Sequence, residues 1–302
     1  MSIKIAIPKT TTANEKRVAA SPETVKKLTA MGCEVTIETK AGDNAAITDE
    51  MFKAAGAKIA KTASEALKAA DEEKAKEMSA LKAADDKKIS ELFIPGPAGR
   101  IETKYFKNNK KTAPIALVLH PHPQYGGTMN NKIVFEIFQT FLKNGFSVCR
   151  INFRGVGRSD GKFDNGQGEL SDAAAALDWI ERENIDHSQC WISGFSFGSL
   201  IAMQLLMRRP EINRFIAISP QPNVYDFSFL SPCPSSGLMV YGKNDELVPL
   251  ENINSLNKKL SFQEGIKIEF QEIEGANHFF LNKKKELSFV LDKYIKKESA
   301  LY

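Results

Sequence analysis

The chain has 302 residues, 42% hydrophobic and 26% charged, as in a globular protein of one large or two modest domains. Its 41 basic and 37 acidic residues leave a net charge of +4 spread over both ends, so nucleic acid is not the expected partner. No apolar run approaches the roughly 20 residues of a membrane span, and MSIKIAIPKT lacks a signal-peptide layout, so we expect a cytoplasmic protein.

The first 70 residues alternate short strands with helices. IKIAIP predicts a strand, and SPETVKKLTAMG predicts a helix with Ser21 as its cap, Pro22 at its first position and Gly32 as its stop. EVTIET alternates as a strand does, and TDEMFKAAG repeats the pattern of a Thr cap and a Gly stop. These elements predict a small βαβα segment over residues 1–70.

The composition then shifts toward Ala, Lys, Asp and Glu, from about Thr62 to Lys88. Such a stretch has a strong helix propensity but only a thin apolar stripe, which predicts a solvated helix that joins two units. We therefore place a helical linker at 71–88 and a second domain at 89–302.

Strands and helices alternate through the second domain. KISELFIPGPAGRIETKYF predicts two strands joined by a Pro-Gly turn. Further strands are predicted at IALVLH, FSVCRINF, CWIS, RFIAIS, GLMVYG and IKIEFQEI. Helices are predicted near 130–143, 169–182, 197–208 and 251–260, with a last one that ends near 297. Strands of nearly pure apolar residues are buried on both faces, which predicts an α/β fold with a mostly parallel sheet flanked by helices.

One short motif, GFSFGS at 194–199, follows the apolar run CWI and precedes an apolar helix. A strand, then Gly-x-Ser-x-Gly, then a helix is the arrangement of a nucleophile elbow, in which a tight turn projects a serine from the edge of the sheet. Gly194 and Gly198 leave room for backbone and helix to pass closely. Ser196 is therefore the candidate nucleophile.

A serine hydroxyl needs a nearby base, and the chain has four histidines, at 120, 122, 187 and 278. In this fold the base follows the last strand, where EGANHFF places His278. The acid follows the preceding strand, where YGKNDELVP places Asp245, with Glu246 as the alternative acid. Alternatively, Asp245 only caps the following helix, and His278 is only a residue of a surface loop.

Two backbone donors are needed for the oxyanion of the transition state. One is the N–H of Phe197, the residue after the nucleophile. The second is expected in HPHPQYGG, where the two prolines have no N–H; we choose His122, with Gln124 as the fallback.

The remaining polar motifs favour structural roles. His120 and His122 form an H-x-H pair, but no third ligand of matching character is nearby, so we expect no metal. NFRGVGRSDG lacks the Lys-Ser/Thr ending of a phosphate loop, which favours a structural turn beside the site. The cysteines are far apart and are expected to be reduced packing residues: Cys33, Cys149, Cys190 and Cys233.

From Lys88 to Tyr302, about 70% of the chain, the sequence resembles the α/β-hydrolase superfamily, and within it the small lidless hydrolases related to dienelactone hydrolases. The matching pieces are LHPHPQYGGTMNNK, INFRGVGRSDG, GFSFGS, YGKNDELVP and GANHFF. The resemblance implies a triad of Ser196, Asp245 and His278 that hydrolyses a small ester or related acyl compound without a cofactor. Where many relatives carry a helical cap, this chain has only PQPNVYDFSFLSPCPSS, so an open pocket is expected.

The first 70 residues resemble instead the start of the alanine dehydrogenase and NAD(P) transhydrogenase α-subunit family. The resemblance stops before that family's glycine-rich dinucleotide site, and no G-x-G-x-x-G follows a strand in the chain. KISELFIPGPAGRIE reads like the natural beginning of a hydrolase, so a gene fusion and an assembly artefact are the two interpretations of the junction.

Three functions therefore stand side by side. The first is a serine hydrolase that cleaves a small carboxylic ester through an acyl-enzyme. The second is a transhydrogenase-like subunit, in which residues 1–70 dock onto a transhydrogenase partner and the hydrolase is a passenger. The third is a hydrolase-like scaffold that binds a ligand without turning it over.

Overall fold

The structure is a computed structural model that describes residues 4–9, 18–66, 89–261 and 263–300. It divides into two compact units, residues 1–87 and 88–302. The predicted linker helix at 71–88 lies outside the described residues.

The first unit is a parallel three-stranded sheet in the order β1-β2-β3. Its elements are β1 (Lys4–Ile7), α1 (Pro22–Ala30), β2 (Glu34–Glu38), α2 (Asp49–Ala54) and β3 (Lys58–Ala60). Ser21 caps α1 as predicted, because its side chain accepts a hydrogen bond from the N–H of Thr24. The sequence pattern did not predict β3, a strand of only three residues.

The second unit is built on an eight-stranded sheet in the order β11-β10-β9-β8-β6-β7-β5-β4. The first two strands, β4 and β5, pair antiparallel with each other, β5 pairs antiparallel with β7, and the remaining pairs are parallel. This confirms the predicted fold class. The elements are β4 (Ile89–Gly96), β5 (Gly99–Phe106), β6 (Ile115–Leu119), α3 (Lys132–Lys143), β7 (Ser147–Ile151), α4 (Gln167–Glu183), β8 (Cys190–Phe195), α5 (Phe197–Leu206), β9 (Ile212–Ile218), β10 (Gly237–Gly242), α6 (Leu250–Leu260), β11 (Ile268–Ile273) and α7 (Lys284–Ser299).

Apolar side chains cover both faces of this sheet. Strand β6 divides its residues by alternation: Ile115, Leu117 and Leu119 pack in the core beneath α4, α5 and α6, while Ala116 and Val118 pack in the core beneath α3 and α7. Every residue of β6, β7, β8 and β10 is buried, which explains why apolar residues predominate in these strands.

The sheet brings distant loops together at one edge. Strands β6, β8, β9, β10 and β11 run in the same direction, so the loops that follow them all start at the carboxyl edge of the sheet. Among the described residues, no helix is long and apolar enough to cross a membrane.

Candidate active site

Ser196 lies in the sharp turn between β8 and α5, with φ of +55° and ψ of −118°. An L residue rarely adopts a positive φ, so the fold must hold this turn in place. The N–H of Ser196 donates to the carbonyl of Ile218 (2.8 Å), which ties the turn to β9. A Cβ on Gly194 would overlap the carbonyl of Gly198, and a Cβ on Gly198 would lie 2.5 Å from the carbonyl of Leu119. Both glycines are therefore required by close backbone contact.

The structure brings His278 against Ser196. His278 Nε2 lies 3.0 Å from Ser196 Oγ, although the two residues are 82 positions apart in the chain. The imidazole is 1% exposed, and its ring lies near the rings of Phe195 (5.5 Å between centroids) and Phe279 (5.1 Å). The hydroxyl of Ser219 donates to the carbonyl of His278 (3.0 Å) and fixes the backbone.

Asp245, not Glu246, contacts the imidazole. Asp245 Oδ2 lies 2.7 Å from His278 Nδ1, and its side chain is 3% exposed. Asp245 Oδ1 accepts hydrogen bonds from the N–H groups of Leu247 (2.8 Å) and Val248 (3.0 Å), which orient the carboxylate. Glu246 is exposed. One carboxylate oxygen thus accepts hydrogen bonds from the local turn, and the other contacts the imidazole.

Gln221 is a neighbour of the nucleophile that no sequence pattern predicted. Its Oε1 lies 3.1 Å from Ser196 Oγ. The backbone of Gln221 is anchored, because its carbonyl accepts from the N–H groups of Val224 (3.0 Å) and Tyr225 (2.9 Å). The only sequence signal was its position in SPQPN, between two prolines directly after β9.

The two predicted oxyanion donors lie in different environments. Phe197 is the first residue of α5, where a backbone N–H has no partner within its helix. Among the described residues, neither Phe197 nor His122 donates its N–H to a loop or turn carbonyl. The fallback donor, Gln124, already donates its N–H to His122 Nδ1 (3.2 Å). The backbone N–H of Gln124 is therefore already used within the local turn, whereas the backbone N–H of His122 remains available to an oxyanion.

His120 is enclosed in the protein. It is fully buried; its Nδ1 lies 2.6 Å from the carbonyl of Pro121, and its Nε2 accepts from the N–H of Phe153 (3.0 Å). Burial lowers the pKa of His120 to about 4, so the ring is neutral, with its proton on Nδ1. Both ring nitrogens are occupied, and no group of three metal-ligating side chains is found within the described ranges.

Aromatic rings cluster around Phe197, the residue that follows the nucleophile in the chain. The ring of His122 lies 4.8 Å from that of Phe197, 4.9 Å from Phe163 and 4.8 Å from Tyr125, measured between centroids. The ring of Tyr225 lies 6.1 Å from that of Phe197. Partial burial lowers the pKa of His122, which favours the neutral form of its ring.

The glycine- and arginine-containing segment NFRGVGRSDG forms a braced turn beside the site. Arg154 makes two side-chain hydrogen bonds to Asp172 (3.0 and 2.8 Å). Arg158 donates to Glu102 (2.8 Å), and Asn152 also donates to Glu102 (2.8 Å). These side chains are partnered within the protein, as expected for a structural turn and not for a phosphate site.

Comparison with known proteins separates the two units. Residues 6–83 match the family model of the alanine dehydrogenase/PNT N-terminal domain, and residues 122–237 match that of the α/β hydrolase fold. An NAD(P) transhydrogenase α subunit of Rhodospirillum rubrum is 56% identical over 69 residues, which are 23% of this chain and 18% of that protein. The chain thus spans less than a fifth of that relative.

Similarity over the second unit is much more extensive. An uncharacterised protein of Rickettsia prowazekii is 52% identical over 211 residues, 68% of this chain and 89% of that protein. The crystal structure of a protein of unknown function from Agrobacterium tumefaciens, a candidate α/β hydrolase, is 53% identical with a TM-score of 0.68 and covers 70% of this chain and 97% of its own. A serine hydrolase without a lid from Xanthomonas campestris is 26% identical with a TM-score of 0.62, covering 70% and 94%.

Proposed function

Through its second unit this chain belongs to the α/β-hydrolase family, and we propose that it is a serine hydrolase that cleaves a small carboxylic ester or related acyl compound through an acyl-enzyme. The observation that supports this most is the unbroken line of contacts from Asp245 to His278 (2.7 Å) and from His278 to Ser196 (3.0 Å). Three loops after three different strands supply these groups, and each residue type matches its role in the reaction.

In the proposed reaction His278 Nε2 takes the proton of Ser196 as Oγ attacks the substrate carbonyl carbon. Asp245 accepts the hydrogen bond from His278 Nδ1–H and stabilises the imidazolium that forms. The N–H groups of Phe197 and His122 stabilise the oxyanion. The imidazolium then protonates the leaving alcohol, and water, activated by the same base, releases the acid and restores the serine.

We infer that the site is open, which limits how a substrate is held. Between β9 and β10 the chain has only a short segment with a single 3-10 turn at Ser228–Leu230, where a helical cap would otherwise stand. No element of this segment is long enough to enclose a large acyl group. We therefore propose a substrate that is small or that lies partly outside the protein.

The test is turnover and covalent labelling. We expect hydrolysis of p-nitrophenyl acetate or butyrate, labelling by a fluorophosphonate probe, and loss of both in Ser196→Ala. Ser171→Ala, which removes an exposed hydroxyl from α4, is the matched control and should retain both. A folded protein that binds ligand but is neither labelled nor active would support the non-catalytic scaffold instead.

We also propose the boundaries of the domains and the cellular location of the protein. We assign residues 1–70 to the partial N-terminal segment, 71–88 to the linker and 89–302 to the hydrolase.

The four cysteines are free, and Cys149, Cys190 and Cys233 are buried. Free buried thiols are typical of a reducing compartment, which supports a cytoplasmic location.

The match of residues 6–83 to the transhydrogenase-related family model supports a second candidate function. In this alternative the first unit docks onto a transhydrogenase partner and the hydrolase is a passenger. Measuring NADH binding and co-purification with a transhydrogenase β subunit tests it. Absence of both would leave the hydrolase as the function of the chain.

A further inference from the structure

Large apolar side chains stand exposed on the loops that carry the proposed catalytic groups. Their exposed fractions range from 44% to 87%. They follow β6, β9, β10 and β11, all at the carboxyl edge of the sheet. We call this set the apolar rim: Tyr125, Val224, Leu247, Phe279 and Leu281.

The apolar rim is continuous with the active site. The ring of Phe279 lies 5.1 Å from that of His278, and the ring of Tyr125 lies 4.8 Å from that of His122. The side chain of Asn223, next to Val224 in the chain, donates to the carbonyl of Leu247 (2.9 Å), so these two loops touch. Whatever covers the rim therefore also approaches Ser196.

The exposure of Phe279 and Leu281 is built into their loop. Phe280, between them, is fully buried in the core beneath α3 and α7, which turns its two neighbours outward. The N–H of Phe280 donates to the carbonyl of Asn277 (3.0 Å), and that of Leu281 donates to the Asn277 side chain (3.0 Å). The hydrogen-bonded backbone of this loop thus holds the side chains of Phe279 and Leu281 exposed to solvent.

The other exposed apolar side chains of the second unit do not form such a set. Phe93 is covered by the guanidinium groups of Arg100 and Arg158, 4.9 and 5.1 Å from its ring centroid. Ile185 stands alone before β8, at the opposite edge of the sheet, and Phe289 lies on α7. Isolated exposure of this kind is ordinary, whereas a cluster indicates a binding surface.

Basic residues flank the apolar rim. Leu281 is followed by Asn282 and then by three lysines, 283–285. Lys283 pairs with Glu286 (3.1 Å), but in the part of the chain that the structure describes neither Lys284 nor Lys285 has an ion-pair partner within 4 Å. The positive charge of Lys285 also helps to lower the pKa of the Glu286 carboxyl. Exposed apolar side chains beside this run of three lysines complement a surface that is apolar below and anionic above.

We propose that the apolar rim and the adjoining lysines dock the second unit onto an anionic lipid surface, and that its acyl substrates are lipid esters presented there. The proposal rests on the hydrolase function above and deepens it. An open site around Ser196 cannot enclose a long acyl chain, but a lipid aggregate supplies the apolar surroundings that the protein lacks. Hydrolysis then consumes one water and releases a fatty acid and the alcohol.

Vesicle binding tests the docking without catalysis. Full-length Ser196→Ala protein is mixed with vesicles of phosphatidylcholine alone or with phosphatidylglycerol, and bound protein is measured by flotation. We expect binding to the anionic vesicles. It should weaken about tenfold or more when Val224→Ser and Leu281→Ser are added, since buried apolar area drives such binding. The control Ile185→Ser, an exposed apolar residue at the opposite edge, should change binding by less than about twofold.

The lysines are tested by Lys284→Glu with Lys285→Glu. We expect binding to anionic vesicles to fall several-fold at low salt, and this difference to shrink at high salt, because exposed charges are screened. Equal binding to neutral and anionic vesicles, or rim and control variants that bind alike, would overturn the proposal. Retention by a protein partner with no vesicle binding would also overturn it.

A separate readout keeps the two proposals apart. The ratio of turnover of a vesicle-borne fatty-acid ester to that of water-soluble p-nitrophenyl butyrate should fall about tenfold in the rim variant of the active enzyme. An enzyme that cleaves only the soluble ester and ignores vesicles would remain a hydrolase and refute the lipid inference. A protein that binds vesicles but lacks fluorophosphonate labelling would instead contradict the hydrolase proposal.

Discussion

Ser196 Oγ lies between two side-chain acceptors, with His278 Nε2 at 3.0 Å and Gln221 Oε1 at 3.1 Å. A serine hydroxyl has one proton, so it donates to only one of them at a time. Donation to His278 prepares the attack, whereas donation to Gln221 withholds the proton from the base. A half-turn of the Gln221 amide would instead present an N–H donor to the same oxygen.

Replacing Gln221 tests this contact. We expect Gln221→Glu to lower kcat/KM for a p-nitrophenyl ester by about 100-fold, because a fixed negative charge beside Oγ holds the hydroxyl proton and opposes the developing oxyanion. Gln221→Ala removes the contact without adding charge and should stay within about fivefold of wild type. Equal kinetics for wild type and Gln221→Glu would mean that Gln221 does not face the nucleophile in solution.

The role of Asp245 is tested against its neighbour. Asp245→Asn should lower kcat by about 10⁴-fold, because an amide N–H facing His278 Nδ1 favours the wrong tautomer of the imidazole. Glu246→Gln, the alternative acid, should leave kcat unchanged within about twofold, since Glu246 is exposed. Circular dichroism of both variants checks that the fold is intact. The reverse result would move the catalytic acid to Glu246.

The oxyanion assignment is tested by removing a backbone donor. His122 has φ of −53°, within the range of proline, so His122→Pro deletes the N–H with little change of this torsion. We expect kcat to fall by about 10²- to 10³-fold. His122→Ala keeps the N–H but loses the ring, so it is the matched control and should lose much less. If both variants lost the same activity, the ring and not the N–H would be what matters.

The buried neutral state of His120 makes stability depend on pH. Its pKa is about 4 in the folded protein, against about 6.5 for an ordinary histidine, so the unfolded chain binds the proton more tightly. The stabilisation is complete above pH 6.5 and is lost as the pH falls toward 4, up to about 3 kcal/mol. Urea unfolding from pH 7 to pH 4.5 should show this loss, and His120→Gln should flatten it.

His187→Gln is the control for that measurement. His187 is only partly buried and contacts the carbonyl of Asn184 through Nδ1 (2.8 Å). Its replacement should leave the wild-type pH dependence in place. An unchanged slope in His120→Gln would mean that His120 is not held neutral by the fold.

Local patterns in the chain predicted most of the fold. Helix caps such as Ser21 and the apolar runs of the central strands depend on neighbouring residues alone, and the predicted elements of the second unit agree with the structure to within a few residues. The family resemblance is likewise confirmed, because it rests on motifs that are short and contiguous. The strand at Lys58–Ala60 was missed since three residues carry too little periodicity to detect.

The order of residues along the chain was enough to identify the candidate nucleophile, base and acid, because the succession of strands specifies which loops reach the carboxyl edge of the sheet. Three-dimensional packing was needed to show which of two adjacent carboxylates meets the imidazole, that Gln221 contacts Ser196, and that His120 is buried and neutral. The reason is physical: a hydrogen bond and a pKa depend on distances and burial among residues that lie far apart in the chain. No pattern of neighbouring residues encodes those quantities.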